Sequence, residues 1–386
     1  MKILFLDSPA FAKLDMLEAF LECGVSYSLF FHEAYNERQN SAYDQAFDEA
    51  VSKERFDFVF SFNYFPILSN CCKRHNMKYV AYVYDSPLVS LYSCTLINPC
   101  NYVFLFDKTT YLFFKNAGIP NVYYLPLAAN VKRLRSLTAP LKLTERLCSD
   151  VSFVGSLYNE DHNLFERLTN LSDYTKGYLD AIMSAQQKIY GSFFLEELLH
   201  PNILNDLQAS VPYSPMSDGT ESAAYVYANY FLARKITSNE RISLLDNISG
   251  QFQLKLFSHI PAPQIPNAEF MGTVDYYDVM PLVFKNSKIN LNISLKSIYS
   301  GIPLRCMDIM GAGGFLLTNY QADFLDCFLP EEDFVFYESE YDCLEKIKYY
   351  LSHEDRRIQI IENAAGKMKE AHTFCHRVHA ILSMIS

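Results

Sequence analysis

The stretch KINLNISLKSIYSGIPLRCMDIMGAGGFLLTN, Lys288–Asn319, decides how this chain is read. Its apolar run KINLNIS reads as a buried strand that ends near Ser294. A loop follows as far as Ser300-Gly301. Pro303 suits the first turn of a helix, because the N–H it lacks would have had no partner there. The helix runs to Gly311, and GAGG turns the chain into a second apolar strand, GGFLLTN. Strand, helix and strand in this order belong to a parallel sheet with helices on its faces. The turn also carries chemistry. Amides around Gly301 and Ile302, just after Ser300, stand at a helix start, where N–H groups attract a phosphate. Arg305 in the same turns offers a fork to a diphosphate. Asp308 lies two turns beyond Gly301 on nearly the same face and offers a carboxylate to the two hydroxyls of a ribose. The same two residues also read as a surface i, i+3 ion pair.

The pattern extends outward in both directions. Six short apolar runs fill the first 130 residues: MKILFLD, SYSLFFHE, FDFVFSFN, KYVAYVYDSP, NYVFLFDKT and NVYYLPLA. Amphipathic stretches such as FAKLDMLEAFLECG and FPILSNCCKRHN alternate with them. The polar stretch 131–149 breaks the rhythm and is expected to link two domains. DVSFVGSLY then opens a second series, which resumes at QFQLKLFSH after a helix-rich insertion, 163–248. The expected fold is α/β, two Rossmann-like domains facing a cleft. The first spans 1–130 and the second 150–360. The last segment, 361–386, is expected to be a helix that packs back toward the first domain.

Composition excludes several classes. With 386 residues, 50% apolar and 20% charged, the chain has ample material for two cores. Its formal net charge of −11 argues against nucleic acid as a partner. Ten cysteines show no paired C-x-x-C spacing and read as reduced buried thiols. Acidic residues interrupt the first thirty positions, so no secretory leader is read there. No apolar stretch approaches the roughly 18 residues of a membrane span, and the cytoplasm is the expected location. The first strand is followed by DSPAFAK, not by the glycines of a dinucleotide site, and no phosphate-loop or zinc-hydrolase motif occurs. No metal is expected.

The segment SGIPLRCMDIMGAGGFLLTN resembles the donor-binding signature of GT-B glycosyltransferases. It is most similar to the spore-maturation (CgeB-like) family, which shows G-x-P-x-R followed by an acid. FVGSLY, EFMGTVDYYDVMPLVFKNSKINLNIS, YLPLAAN and HTFCHR resemble further parts of that family. The retaining branch of GT-B enzymes carries an acid where Ser300 stands here. The resemblance implies transfer of a sugar from a UDP- or GDP-type nucleotide sugar to a glycan, protein or small-molecule acceptor, without a metal. It implies donor contacts at Gly155, Ser156, Val274, Gly301, Arg305 and Asp308. Lys255 is a further candidate for the diphosphate, and Tyr276 or Tyr277 for stacking on the base or a sugar. A nucleotide-sugar epimerase and a binding protein with a degenerate site are the alternatives.

An inverting transfer needs a base at a strand tip of the first domain. Asp7, His32, Asp85 and Asp107 all stand at such tips. Asp85 is preferred, because Ser86-Pro87 fixes the exit of its strand, and helix capping is the competing role for each acid. His372 and His376, four residues apart, read as packing or capping groups.

Overall fold

The structure is a computed structural model that describes residues 1–160 and 163–386. The chain divides into two compact units. The first is Met1–Ala128 with Pro215–Ser222 and His372–Ser386; the second is Ala129–Ser214 with Ala223–Ala371.

The first unit is built on six parallel strands: β1 (Lys2–Leu6), β2 (Ser26–Phe30), β3 (Phe58–Phe62), β4 (Lys78–Val83), β5 (Asn101–Leu105) and β6 (Val122–Tyr124). Their order is β2-β1-β3-β4-β5-β6. Successive residues of a strand face opposite sides of the sheet, yet all five residues of β3 are buried. Both faces are therefore covered, as parallel sheets require. Leu4, Val59, Tyr79 and Val103 fill one side. On the other, Phe5 stacks on Phe60 at 5.1 Å, and Phe20 meets Phe60 edge-on at 5.1 Å. Phe20 lies on the helix Lys13–Glu22, and the chain's final helix, Phe374–Ile385, packs against it.

The second unit carries β7 (Ser149–Val154), β8 (Leu254–Phe257), β9 (Glu269–Phe270), β10 (Ser287–Asn292), β11 (Leu316–Asn319) and β12 (Val335–Tyr337). All pairings are again parallel, in the order β12-β11-β10-β7-β8-β9. The chain leaves β7 toward β8 on one side and returns through β10 on the other. The crevice at the C-terminal ends of β7 and β10 is thus the topological switch point of this sheet. Between β10 and β11 the helix Leu304–Ala312 forms as the sequence suggests. Pro303 is its N-cap, and Gly313 at φ 84° closes it in the left-handed conformation that glycine adopts without strain.

Two expectations need revision. The stretch 131–149, expected to link the two domains, forms the helices Val131–Ser136 and Leu141–Leu147 and belongs to the second unit. The C-terminal stretch is not one helix. It breaks at His372-Thr373 into Glu354–Ala371, in the second unit, and Phe374–Ile385, in the first. Thr373 makes that break, because its hydroxyl starts a new helix as an N-cap.

Candidate functional site

The switch point of the second unit gathers charge. Gly155 and Ser156 follow β7, and Ile293 follows β10. Arg241, on the helix Ala233–Ser249, spans the two strand ends. Its Nε donates to the Ile293 carbonyl at 3.1 Å, and its terminal nitrogens donate to the carbonyls of Ile293 and Ser156. The guanidinium lies 5.3 Å from the Phe153 ring centre and 4.8 Å from that of Tyr158, and the residue is buried. Gly155 lies beside both: a Cβ there would make ordinary contacts, 3.9 Å from an Arg241 nitrogen and 3.4 Å from the Phe153 ring. The Ser156 hydroxyl turns the following chain, accepting from the Tyr158 N–H at 2.8 Å and donating to Glu160.

Arg305 and Asp308 extend this cluster from the helix Leu304–Ala312. Asp308 is only 2% exposed, so it is no surface partner of Arg305. One of its carboxylate oxygens accepts from the Tyr276 hydroxyl at 3.1 Å. Arg305 is half-buried, packed on the Met280 sulfur and 5.9 Å from the centre of the Phe284 ring. Burial pulls the Arg305 guanidinium below its ordinary range. The nearby Asp308 carboxylate opposes that shift, and Arg241 adds to it by like-charge repulsion. Arg241, Arg305 and Asp308 thus act on one another in one region, with Glu160 beside Ser156 at its edge. The two fixed guanidiniums offer an anion charged donors there.

Tyr276 and Tyr277 stand where the chain approaches that helix. Their rings meet edge-on at 4.9 Å. Arg133 donates to the Tyr277 carbonyl at 2.9 Å and lies 5.0 Å from the Tyr277 ring centre and 5.8 Å from that of Tyr276. Tyr276 is thereby fixed from both ends. Val274 packs with Phe257, Leu282 and Val283 beside the end of β8.

Other expected contacts sit differently. Ser300, Gly301 and Ile302 are buried instead of exposing their amides, and the Ser300 carbonyl accepts from the Asp323 N–H at 3.0 Å. Lys255 is the second residue of β8, not its last. Its ammonium donates to the Arg146 carbonyl and pairs with Glu269 at 3.6 Å. It is therefore tied to the β8–β9 edge and is not among the groups at the switch point. Arg241 was missed. Its signal in the sequence was a lone arginine inside the apolar face of a helix, RISLLDNIS, which demands a buried acceptor.

In the first unit Asp85 lies just past β4 and is exposed. Asn63 follows β3 at φ 58° and grips it: the Asn63 side-chain amide donates to the Asp85 carboxylate at 2.6 Å, and its oxygen accepts from the Asp85 and Tyr84 N–H groups at 3.2 Å. Asp7 pairs with Lys13. His32 caps a short turn, its Nδ1 accepting from the Ala34 N–H at 3.2 Å. Asp107 is buried and caps the helix Lys108–Asn116 through the Thr110 N–H at 2.8 Å. His376 forms a capping box with Thr373, and the Nδ1 of His372 accepts from Arg377 at 2.8 Å. Arg377 also donates to the carbonyls of Pro126 and Leu127, at 2.6 and 2.9 Å. Among the described residues no cluster of three metal-ligating side chains occurs.

Among curated proteins, none matches the chain in sequence. Solved structures share its fold along its whole length. A glycosyltransferase from Rickettsia africae ESF-5 aligns with a TM-score of 0.56 at 11% identity, over 100% of this chain and 97% of its own. Anabaena HepE, solved with UDP and glucose, gives 0.56 at 10% identity, over 100% of both chains. The sucrose-phosphate synthase of Thermosynechococcus elongatus gives 0.56 at 10%, over 100% of this chain and 99% of its own. At such identities the likeness is one of fold. In sequence, residues 236–383, which hold Arg241, Tyr276, Arg305 and Asp308, match the family model Glyco_trans_1_2, described as glycosyl transferase-like.

Proposed function

We propose that the protein is a glycosyltransferase that takes a sugar from a nucleoside diphosphate sugar. The observation that carries this reading is the convergence of Arg241, Arg305 and buried Asp308 at the switch point of the second sheet. That convergence falls within the segment similar to a glycosyl transferase-like family. Asp308 holds the ribose hydroxyls, which take over the hydrogen bond that the Tyr276 hydroxyl makes. Tyr276 then flanks the base or sugar. Arg305 meets the diphosphate. Arg241 fixes the chain ends at Gly155-Ser156 and Ile293, against which the phosphates rest.

The chemistry follows from charge. As the glycosidic bond breaks, the leaving diphosphate gains negative charge. Guanidiniums already held in place stabilise that charge more than they stabilise the bound donor. The fixed cations supply this without a metal. A UDP-type donor is supported by the UDP and glucose held by Anabaena HepE, which shares the fold. The order Gly301, Pro303, Arg305, Asp308 supports the CgeB-like branch. The first unit holds the acceptor, and Asp85, kept in place by Asn63, is its base if configuration inverts. Ten free thiols fit the reducing cytoplasm.

A panel of UDP- and GDP-sugars tests this directly. One of them at 100 times its Kd raises the folding stability by about 2.7 kcal/mol. The same one is expected to release its nucleoside diphosphate, slowly to water and faster to an acceptor. A protein that binds none of the panel is not such an enzyme.

A further inference from the structure

The cations of the second unit differ in what meets their charge. Arg241 is bonded to the carbonyls of Ser156 and Ile293, and Arg305 has Asp308 beside it. Lys235 pairs with Glu166 at 2.6 Å. Arg234, its neighbour on the helix Ala233–Ser249, has no such partner. Among the described residues its guanidinium makes no hydrogen bond and no ion pair, and its Nε is buried without an acceptor. The residue is half-buried, and what it meets is the Tyr158 ring, 5.6 Å from its centre. A half-buried cation without an anion costs stability, and a ligand that supplies the anion removes that cost.

Position gives this charge a use. The helix leads down into β8, so it runs antiparallel to the strands of its sheet. Arg234 comes two turns before Arg241, about 10 Å further out along the axis. Arg241 already stands at the strand ends, so Arg234 stands beyond them, over the loop that leaves β7. That loop is shaped to present Tyr158. The residue takes φ 54°, a left-handed conformation that a bulky side chain adopts at a cost. The Ser156 hydroxyl accepts from its N–H at 2.8 Å, and the Asn163 amide donates to its carbonyl at 2.6 Å, which together hold that conformation. The ring so fixed carries both guanidiniums, Arg241 at 4.8 Å from its centre and Arg234 at 5.6 Å. Glu160, the acid of the same loop, accepts from the Ser156 hydroxyl.

We infer that Arg234 binds an oxyanion of the substrate at the outer end of the donor site, beyond the ribose and Arg305. The inference rests on the donor reading given above and adds to it a residue and a charge that the ligand must carry. The oxyanion is the terminal phosphate of the nucleoside diphosphate or a carboxylate on the transferred sugar. Both present the paired oxygens that a guanidinium fork takes.

Calorimetric titration of the intact chain and of Arg234→Met tests it, with inorganic pyrophosphate, UMP, UDP, UDP-glucose and UDP-glucuronate as probes. Methionine keeps an unbranched stem against Tyr158 and removes the charge. A melting temperature close to the parent's shows that the variant folds, and UMP is expected to bind it within about twofold of the parent. If the oxyanion is the terminal phosphate, UDP and pyrophosphate weaken about ten- to a hundredfold. If it is a sugar carboxylate, UDP and UDP-glucose hold and UDP-glucuronate alone weakens by that factor. Arg234→Lys should recover part of the loss, since an ammonium brings the charge without the fork. A parent that binds pyrophosphate through Arg234 but no nucleotide would keep the anion site and remove the donor reading. Equal affinity of parent and Arg234→Met for every probe, an equal loss across all probes including UMP, or a parent that binds none of them overturns the proposal.

Discussion

The two sheets have nearly the same plan and differ at their C-terminal ends. Each has six parallel strands with a switch point beside its first strand. In the first unit the acids at those ends are satisfied locally. Asp107 caps a helix, Asp7 meets Lys13, and Asp85 is gripped by Asn63. In the second unit the Arg305 guanidinium feels both the Asp308 carboxylate and the Arg241 guanidinium, and Arg241 is held by strand-end carbonyls. One scaffold thus yields an end whose acids are bonded locally and an end where two guanidiniums converge. Fixed guanidiniums of this kind suit an anion, which is why the proposed donor site is assigned to the second unit.

The largest expected effect lies on the first unit. If the transfer inverts configuration, Asp85→Asn lowers turnover by roughly 10²–10⁴ with little change in UDP affinity. Steady-state kinetics beside a UDP titration checks this; equal loss of both would erase the division between the two sides. Next is Arg241→Met, which frees the carbonyls of Ser156 and Ile293 and removes a buried cation. Loss of a charged hydrogen-bond set costs roughly 1.5–3 kcal/mol per bond. UDP affinity should fall at least tenfold, with uridine affected less. A fall equal for uridine and UDP would make Arg241 a purely structural brace.

Much of this contrast was legible in the sequence. The strands are β-branched and aromatic runs, and the Lys288–Asn319 segment declared its strand, helix and turn through Pro303 and Gly313. Asp308 and Arg305 could be paired because helical spacing sets their faces. Contacts made across the fold could not be read. Nothing local says that the Tyr276 hydroxyl reaches Asp308, that Lys255 turns to Arg146, or that Arg241 joins two strand ends. The helices within 131–149 were hidden by polarity, because short helices gain their stability from packing rather than from composition.

The smallest expected effect concerns pH and the first unit. Burial, then the charges of Arg377 and His379, hold His376 below its usual 6.5. The capping box needs a neutral Nδ1, since that nitrogen accepts from the Thr373 N–H. A depressed pKa contributes stability that is present above pH 6.5 and lost as the pH falls through the folded value. Thermal melts should therefore show a modest drop in stability below that pH, and His376→Asn should flatten it. An unchanged slope in the variant would place the acid sensitivity elsewhere.

The most direct measurement is calorimetric titration of Asp308→Ala and Arg305→Ala with uridine and with UDP. Asp308→Ala removes one or two hydrogen bonds to a charged group, each worth roughly 1.5–3 kcal/mol. It should weaken uridine and UDP alike, by about tenfold to several hundredfold. Arg305→Ala should weaken UDP far more than uridine, because only UDP carries the charge it meets. If both variants bind both ligands as the parent does, Asp308 and Arg305 do not form a nucleotide site and the donor binds elsewhere.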